Sequence, residues 1–182
     1  MIKERFRPHG IFTIEVFEGR YNKETDEVES TGKLISSSKA ENVVTNQGLD
    51  SILNVALHAA TQITAWYCIL YEDDTAGAAA QTYAVPVWTE TTSYDEGTRP
   101  AYTEAEASSQ SVTNSANKAV FTASATKTFY GAAIVGGGTD GDTKDDQAGG
   151  GTLLCAGKFS TAQPVIDGNV VNLTYTISAA DA

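Results

Sequence analysis

The sequence lacks any apolar run that approaches the roughly 20 residues of a membrane-spanning helix. Its hydrophobic residues make up 41% of the chain but are dispersed among abundant Thr, Ser, Ala and Gly. The first ten residues, MIKERFRPHG, are charged and lead into no apolar stretch, so we expect no secretory signal. These features favour a globular domain without a membrane partner.

Cysteine and histidine are also scarce. Only Cys68, Cys155, His9 and His58 occur in 182 residues. Two cysteines are too few for a disulfide framework, and their apolar surroundings favour buried free thiols over a single bridge or a reactive thiol. The histidines provide little material for a metal centre or a Cys–His dyad. Synthesis in a reducing cytosol is the simplest inference.

Basic residues are in deficit, with 12 Lys and Arg against 23 Asp and Glu, for a net charge of −11. This balance argues against a nucleic-acid partner, because binding to duplexes depends on neutralising phosphates. Residues 1–10 are the exception, with a local charge of +2 that leaves −13 on the remainder. Such an arm can dock onto an acidic neighbour, a second copy included, or it can be a frayed terminus. The candidate contact residues are Lys3, Arg5, Phe6 and Arg7.

Catalytic and cofactor motifs are missing or incomplete. Residues 136–141, GGGTDG, match the spacing of a dinucleotide fingerprint, but the following TKDDQAGGG does not begin a helix that could hold a pyrophosphate. No GxSxG hydrolase elbow is present. Glu104 and Glu106 could share a strand face as paired acids, although solvated acidic pairs have the same spacing. We expect no enzyme, no catalytic residue and no cofactor.

The glycine-rich segment 136–151 carries four carboxylates, which raises the question of a calcium site. An EF-hand loop needs an oxygen ligand where Lys144 lies and a glutamate where Gly151 lies. We therefore interpret the segment as a flexible, solvated hairpin tip, with an irregular calcium site as the alternative. The weak metal candidates are Asp140, Asp142, Asp145 and Asp146.

Periodicity predicts a mainly β protein with one helix. Apolar residues recur at three- and four-residue steps over about residues 47–59, after a possible cap at Thr45 or Asn46. Residues 11–17 alternate as a half-buried strand, and residues 18–32 suggest a hairpin connection or a mobile loop. Residues 65–71 are apolar on both faces, which is typical of a central strand. Two further alternating runs, 119–124 and 129–135, predict a hairpin.

The last third predicts further strands, separated by a turn at Asp167, Gly168 and Asn169. Roughly eight strands and one short helix indicate a jelly-roll-like β-sandwich. We expect an N-terminal arm over residues 1–10 and a single sandwich domain over residues 11–182.

Four segments, NVVTNQGLDSIL, ITAWYCIL, VWTE with SYDEGTRPAY, and NKAVFTASATKTFYGAAIV, together resemble small virion structural proteins of tailed bacteriophages. The resemblance covers roughly residues 42–159. It implies a jelly-roll-like sandwich in which Asn46 and Gly48 form the turn into the helix and Trp66 anchors the core. It also implies that Arg99 and Tyr102 form a packed loop, and that Gly131 allows a close strand approach.

The function that this resemblance implies is a capsid cement or decoration protein. Such a protein would be made in the host cytoplasm, act on the virion surface, form a homo-oligomer and bind the major capsid protein or other virion proteins. Two alternatives are a tail, collar or head-fibre component, and a module that binds carbohydrates or cell surfaces. In the last case, the stacking residues would be Trp88, Tyr94 and Tyr102.

Overall fold

The computed structural model describes residues 7–180, which form two antiparallel sheets and one helix. The strands are Arg7–Asn22 (β1), Glu27–Glu41 (β2), Val43–Val44 (β3), Trp66–Tyr71 (β4), Ser111–Thr113 (β5), Ala119–Thr122 (β6), Lys127–Gly136 (β7), Thr152–Val165 (β8) and Val170–Ala180 (β9), and the helix is Asn46–Leu57 (α1). The first sheet has the order β2-β1-β9-β5, with β6 also paired to β9, and the second has the order β3-β8-β7-β4. The predicted mainly β sandwich with one short helix is confirmed, whereas these pairings do not establish a jelly roll.

A long hairpin of β1 and β2 spans residues 18–32, so the hairpin connection expected there is only the turn at residues 23–26, and the residues on either side of it are strand. The two strands pair from Ile11 opposite Glu41 to Asn22 opposite Glu27. The charged residues that suggested a loop lie in a part of the hairpin that is largely exposed, so they are solvated strand residues. The charged residues of this segment therefore indicate solvent exposure and not the absence of regular structure.

The sandwich begins before the predicted boundary at residue 10. Arg7 pairs with Ala180 and Gly10 pairs with Ile177, so residues 7–10 belong to the first sheet and not to the arm. Lys3, Arg5 and Phe6 lie outside the described residues, and the side chain of Arg7 is not described. Their role in partner contact stays a prediction.

The main core lies between the two sheets. The inward residues of β1 and β9 alternate along each strand as the sequence predicts, and burial of each large apolar side chain stabilises the fold by about 1.5 to 3 kcal/mol. The fully buried members from these two strands are Phe12, Ile14, Val16, Val171, Leu173 and Tyr175. The ring centroids of Phe12 and Tyr175 stack 4.4 Å apart.

The second sheet is also covered on its outer face. A smaller core cluster there includes Ile69, Tyr71, Tyr83, Trp88 and Leu153, because the long connection after β4 folds over the sheet. This layer explains why β4 is apolar on both faces although β4 is the end strand in its sheet, and not a central strand as expected.

The chain crosses from one sheet to the other between β6 and β7. β6 pairs with β9 in the first sheet, whereas β7 pairs with β4 and β8 in the second sheet. The hairpin predicted from residues 119–124 and 129–135 is therefore wrong. Both runs alternate correctly, but alternation does not specify the partner strand.

Helix α1 runs over Asn46–Leu57, one to two residues earlier than predicted. The side chain of Thr45 accepts a hydrogen bond from the backbone N–H of Gly48 at 2.9 Å, which confirms Thr45 as the N-cap. A Cβ at Gly48 would overlap the carbonyl of Leu154, so glycine lets the first turn lie directly on β8.

Both cysteines are free and fully buried in the second sheet. Cys68 and Cys155 each pair across a strand with Ile134. Burial raises the pKa of both thiols, and that of Cys155 rises to about 11 despite hydrogen bonds from Tyr175 and Asn42. Because the thiolate is the nucleophile, both sulfurs are poorly reactive near neutral pH.

We therefore expect both thiols to be protected from an aromatic disulfide reagent at pH 8. The native protein should react at least about 100-fold more slowly than the protein in guanidinium, where exposure and an ordinary thiol pKa are restored. Absorbance of the released thiolate measures both rates, and the denatured sample is the control. Rapid labelling of either cysteine in the native state would contradict the burial of these residues.

Candidate interaction surfaces

A buried ion pair joins two loop residues on the outer face of the second sheet. Nε and Nη2 of Arg99 donate to Oε1 and Oε2 of Glu90 at 2.9 Å and 2.6 Å. The two residues are only 2% and 5% exposed. Burial alone would lower the pKa of Arg99, but the hydrogen bonds and charge of Glu90 outweigh it, so the pKa is raised and the guanidinium stays charged.

The remaining donors of Arg99 hold the segment 136–151. Nη1 donates to the carbonyl oxygen of Gly141 and Nη2 to that of Asp146, each at 2.9 Å. The backbone N–H of Arg99 donates to the carbonyl oxygen of Asp142 at 2.7 Å. Lys144 adds a further anchor, because its ammonium lies 3.8 Å from the ring centroid of Tyr94. The segment is the connection of the β7–β8 hairpin, as expected, and Arg99 ties it to the body.

The four carboxylates of that segment do not converge. Asp146 accepts hydrogen bonds from the Tyr83 hydroxyl at 2.7 Å and from the backbone of Gly149, and the bond from Tyr83 is the main cause of its lowered pKa. Asp140 accepts a bond from the neighbouring Thr139. Over residues 7–180, no group of three or more Asp, Glu, His or Cys side chains is placed to hold a metal ion. The segment is therefore built from turns that its own carboxylates stabilise.

The three aromatic residues proposed for glycan stacking lie inside the protein. Trp88 is 6% exposed and stacks on Tyr71, with centroids 5.1 Å apart. Tyr94 is 3% exposed and packs edge-on against Phe121, and Tyr102 is 7% exposed. These side chains cannot stack on a sugar in this conformation, so this assignment of stacking residues is wrong. Trp88 packs in the outer layer, whereas Tyr94 and Tyr102 pack in the main core.

The second half of α1 is exposed, although its sequence is amphipathic. Gly48 is the only buried residue of the helix, and Ile52 is half-buried. Beyond it, Leu53 and Leu57 are 48% and 82% exposed, and Val55 is also exposed. The helix is thus held by its first turns and presents an apolar end to the surroundings. Leu53 and Leu57 are four residues apart and share one face of the helix, and exposed apolar surface of this kind is typical of protein interfaces.

An open groove lies beside the helix, between the edges of the two sheets, with a volume of about 400 Å³. We call it the apolar groove. The half-buried Trp66 lines it and also packs against the main core, as the resemblance implied. The apolar side chains that define it are Ile52, Trp66, Tyr102, Val112, Leu154 and Ile177. Glu104 and Glu106 lie exposed at its rim, so this predicted acid pair belongs to the groove.

The far part of the β1–β2 hairpin forms a third exposed surface. From Glu18 to Ile35 no residue is buried, and Tyr21, Leu34 and Ile35 are each at least half exposed. A lone two-stranded ribbon is marginally stable in water, so cross-strand polar contacts matter here. Asn22 and Thr25 both donate to the carboxylate of Glu29, and Lys33 pairs with Glu18 at 3.3 Å.

No protein-family model matches the chain, and a search of curated proteins finds no significant relative. Among the described residues, no helix is long and apolar enough to cross a membrane. The partner of Arg99, the apolar groove and the exposed end of α1 were not foreseen from the sequence. The one available signal was that the apolar stripe of α1 continues to Leu57, beyond the turns that the body covers.

Proposed function

We propose that this protein is a bacteriophage capsid cement or decoration protein that binds the assembled shell and stabilises it by bridging capsid subunits. The observation that carries the proposal is the exposed apolar end of α1, where Leu53 and Leu57 share one face of the helix and are 48% and 82% exposed. The body beneath is well packed, so this apolar surface is available to a protein partner.

The physical requirements of a cement protein agree with this arrangement. A shell presents many copies of one site, so modest contacts repeated around it are sufficient for stable attachment. Burial of a leucine side chain contributes about 1.5 to 3 kcal/mol, which corresponds to at least a tenfold change in affinity. A ligand that binds only the assembled shell raises its melting temperature by mass action. The resemblance to virion proteins supports the choice of partner.

The proposal predicts that Leu57→Asp weakens shell binding at least tenfold. The residue is 82% exposed, so the substitution should leave the fold intact while it places a charge at the contact. Purified protein is mixed with capsids that lack it, and bound copies and shell melting are measured. Ile166→Asp is the matched control, because Ile166 is 60% exposed in the turn after β8, remote from α1.

Two results would overturn the proposal. The first is a protein that neither binds capsids nor changes their melting. The second concerns the position of the protein on the virion. If electron micrographs showed the labelled protein only at a single vertex or on the tail, a collar, fibre or tail component would be favoured.

A further inference from the structure

The apolar groove combines an apolar floor with an acidic rim. Trp66, Tyr102 and Leu154 are on its floor side, and Glu104 and Glu106 are exposed at its edge. Among the described residues that line it, none is basic. A complementary occupant therefore has apolar side chains together with positive charge.

The first six residues of this chain, MIKERF, have that chemistry. Met1, Ile2 and Phe6 are apolar, and Lys3 and Arg5 oppose the single acid Glu4. Elsewhere the chain is strongly acidic, with a net charge of −11 over its whole length. Lys33, Leu34 and Ile35 also join apolar residues to positive charge, but they belong to strand β2, which is paired with β1.

The point at which this segment leaves the body is near the groove. Ile177, which lines the groove, lies directly opposite Gly10 on the neighbouring strand, and the described part of β1 begins three residues earlier at Arg7. Six extended residues span about 20 Å at most. A segment of that length can extend beyond the edge of its own body and contact a second molecule.

The local sequence favours the adjacent molecule. A return to the groove of the same chain requires a reversal before Arg7, yet MIKERF contains no Gly, Pro, Asn or Asp, the residues that favour tight turns. Arg7 precedes Pro8, and a residue before proline prefers extended backbone. We propose that residues 1–6 of one copy dock in the apolar groove of a second copy, with Lys3 and Arg5 against Glu104 and Glu106.

Association of the full-length chain in solution tests this proposal without any capsid. Sedimentation analysis from about 1 to 200 µM should show concentration-dependent assembly of the wild type. Phe6→Ala should weaken assembly about tenfold, because it removes an apolar anchor. Assembly should also weaken as salt is raised, because exposed charge pairs are screened. A peptide with the sequence MIKERFRP should compete with the arm and dissociate the assembly.

Exchange of the charges between the two surfaces provides the decisive test. We expect Lys3→Glu with Arg5→Glu, and separately Glu104→Lys with Glu106→Lys, each to weaken assembly at least tenfold. The chain that carries all four changes should recover to within about threefold of the wild type. Glu24→Lys with Glu27→Lys is the matched control, since it reverses two exposed acids on the hairpin. Circular dichroism verifies that every variant is folded.

Three outcomes would overturn the proposal. One is a wild-type chain that stays monomeric throughout the concentration range. Another is assembly that is indifferent to all these substitutions. The third is a monomer in which the arm substitutions change Trp66 fluorescence at every concentration, because that would place the arm in the groove of its own chain. None of these outcomes bears on shell binding by α1, which is measured separately.

Discussion

Replacement of Arg99 with methionine is expected to lower the free energy of unfolding by about 3 to 5 kcal/mol, the cost of leaving a buried charge without its partner. Glu90 is 5% exposed and would keep no cation, and the carbonyls of Gly141 and Asp146 would lose their donor. For a chain of this length, the melting temperature should fall by roughly 6 to 20 °C. Calorimetry or chemical denaturation measures the loss.

Two further variants isolate the buried pair as the cause. Lys33→Met removes the ion pair with Glu18, whose side chains are 71% and 48% exposed, and should change stability by less than about 1 kcal/mol. Glu90→Gln in the Arg99→Met background removes the orphaned charge and should recover part of the loss. If Arg99→Met were no more destabilising than Lys33→Met, the pair would not hold the outer layer.

Replacement of Gly131 with alanine is expected to destabilise the protein by about 3 kcal/mol, at the upper end of ordinary overpacking costs. An added Cβ would overlap the ring of Tyr71 and the carbonyl oxygen of Gly157. Tyr71 is fully buried and stacks on Trp88 at 5.1 Å with the planes 10° apart, so its ring has no space to retreat. Denaturant unfolding should show a lower midpoint with an unchanged slope.

Gly97→Ala is the matched control for this substitution. A Cβ at Gly97 would meet no atom within 4 Å, so the same change should leave stability within about 0.5 kcal/mol. Equal effects at the two positions would mean that chain entropy, and not the close approach of strands at Gly131, determines the response.

Local patterns in the sequence correctly predicted the features that depend on residues close together in the chain. Thr45 caps α1 as its short side-chain oxygen allows, and the alternation of Val171, Leu173 and Tyr175 places all three at 0% exposure. The turn before β9 contains Gly168 at a φ of +80°, a conformation that favours glycine. In each case a periodicity or a backbone preference acts within a few residues.

The features that were missed depend on partners far apart in the chain. Alternation in β6 and β7 was clear, but no local property assigns β6 to β9 and β7 to the opposite sheet. Trp88, Tyr94 and Tyr102 were the stacking residues of the carbohydrate-binding alternative, but Trp88 packs in the outer layer over β4 and the two tyrosines pack in the main core. The ion pair of Arg99 and Glu90 joins residues only nine positions apart, but its burial depends on the same layer.

The candidate surfaces show the same division. The amphipathic pattern of α1 predicted the helix, but the body covers only the first turns of the helix. An apolar stripe in the sequence does not show how much of the helix is covered. The apolar groove joins Ile52, Trp66, Val112 and Ile177 from four separate elements. Its existence follows from the spacing of the two sheets, which is a property of the whole fold.

The projecting β1–β2 hairpin also has a practical consequence. Its turn at residues 23–26 is exposed and lies within residues 18–35, none of which is buried, and chain inserted at such a tip adds little closure entropy. Foreign peptides can therefore be grafted at this tip while the body stays closed. On a decorated shell, each copy would carry its graft, which turns the hairpin into a site for dense antigen display.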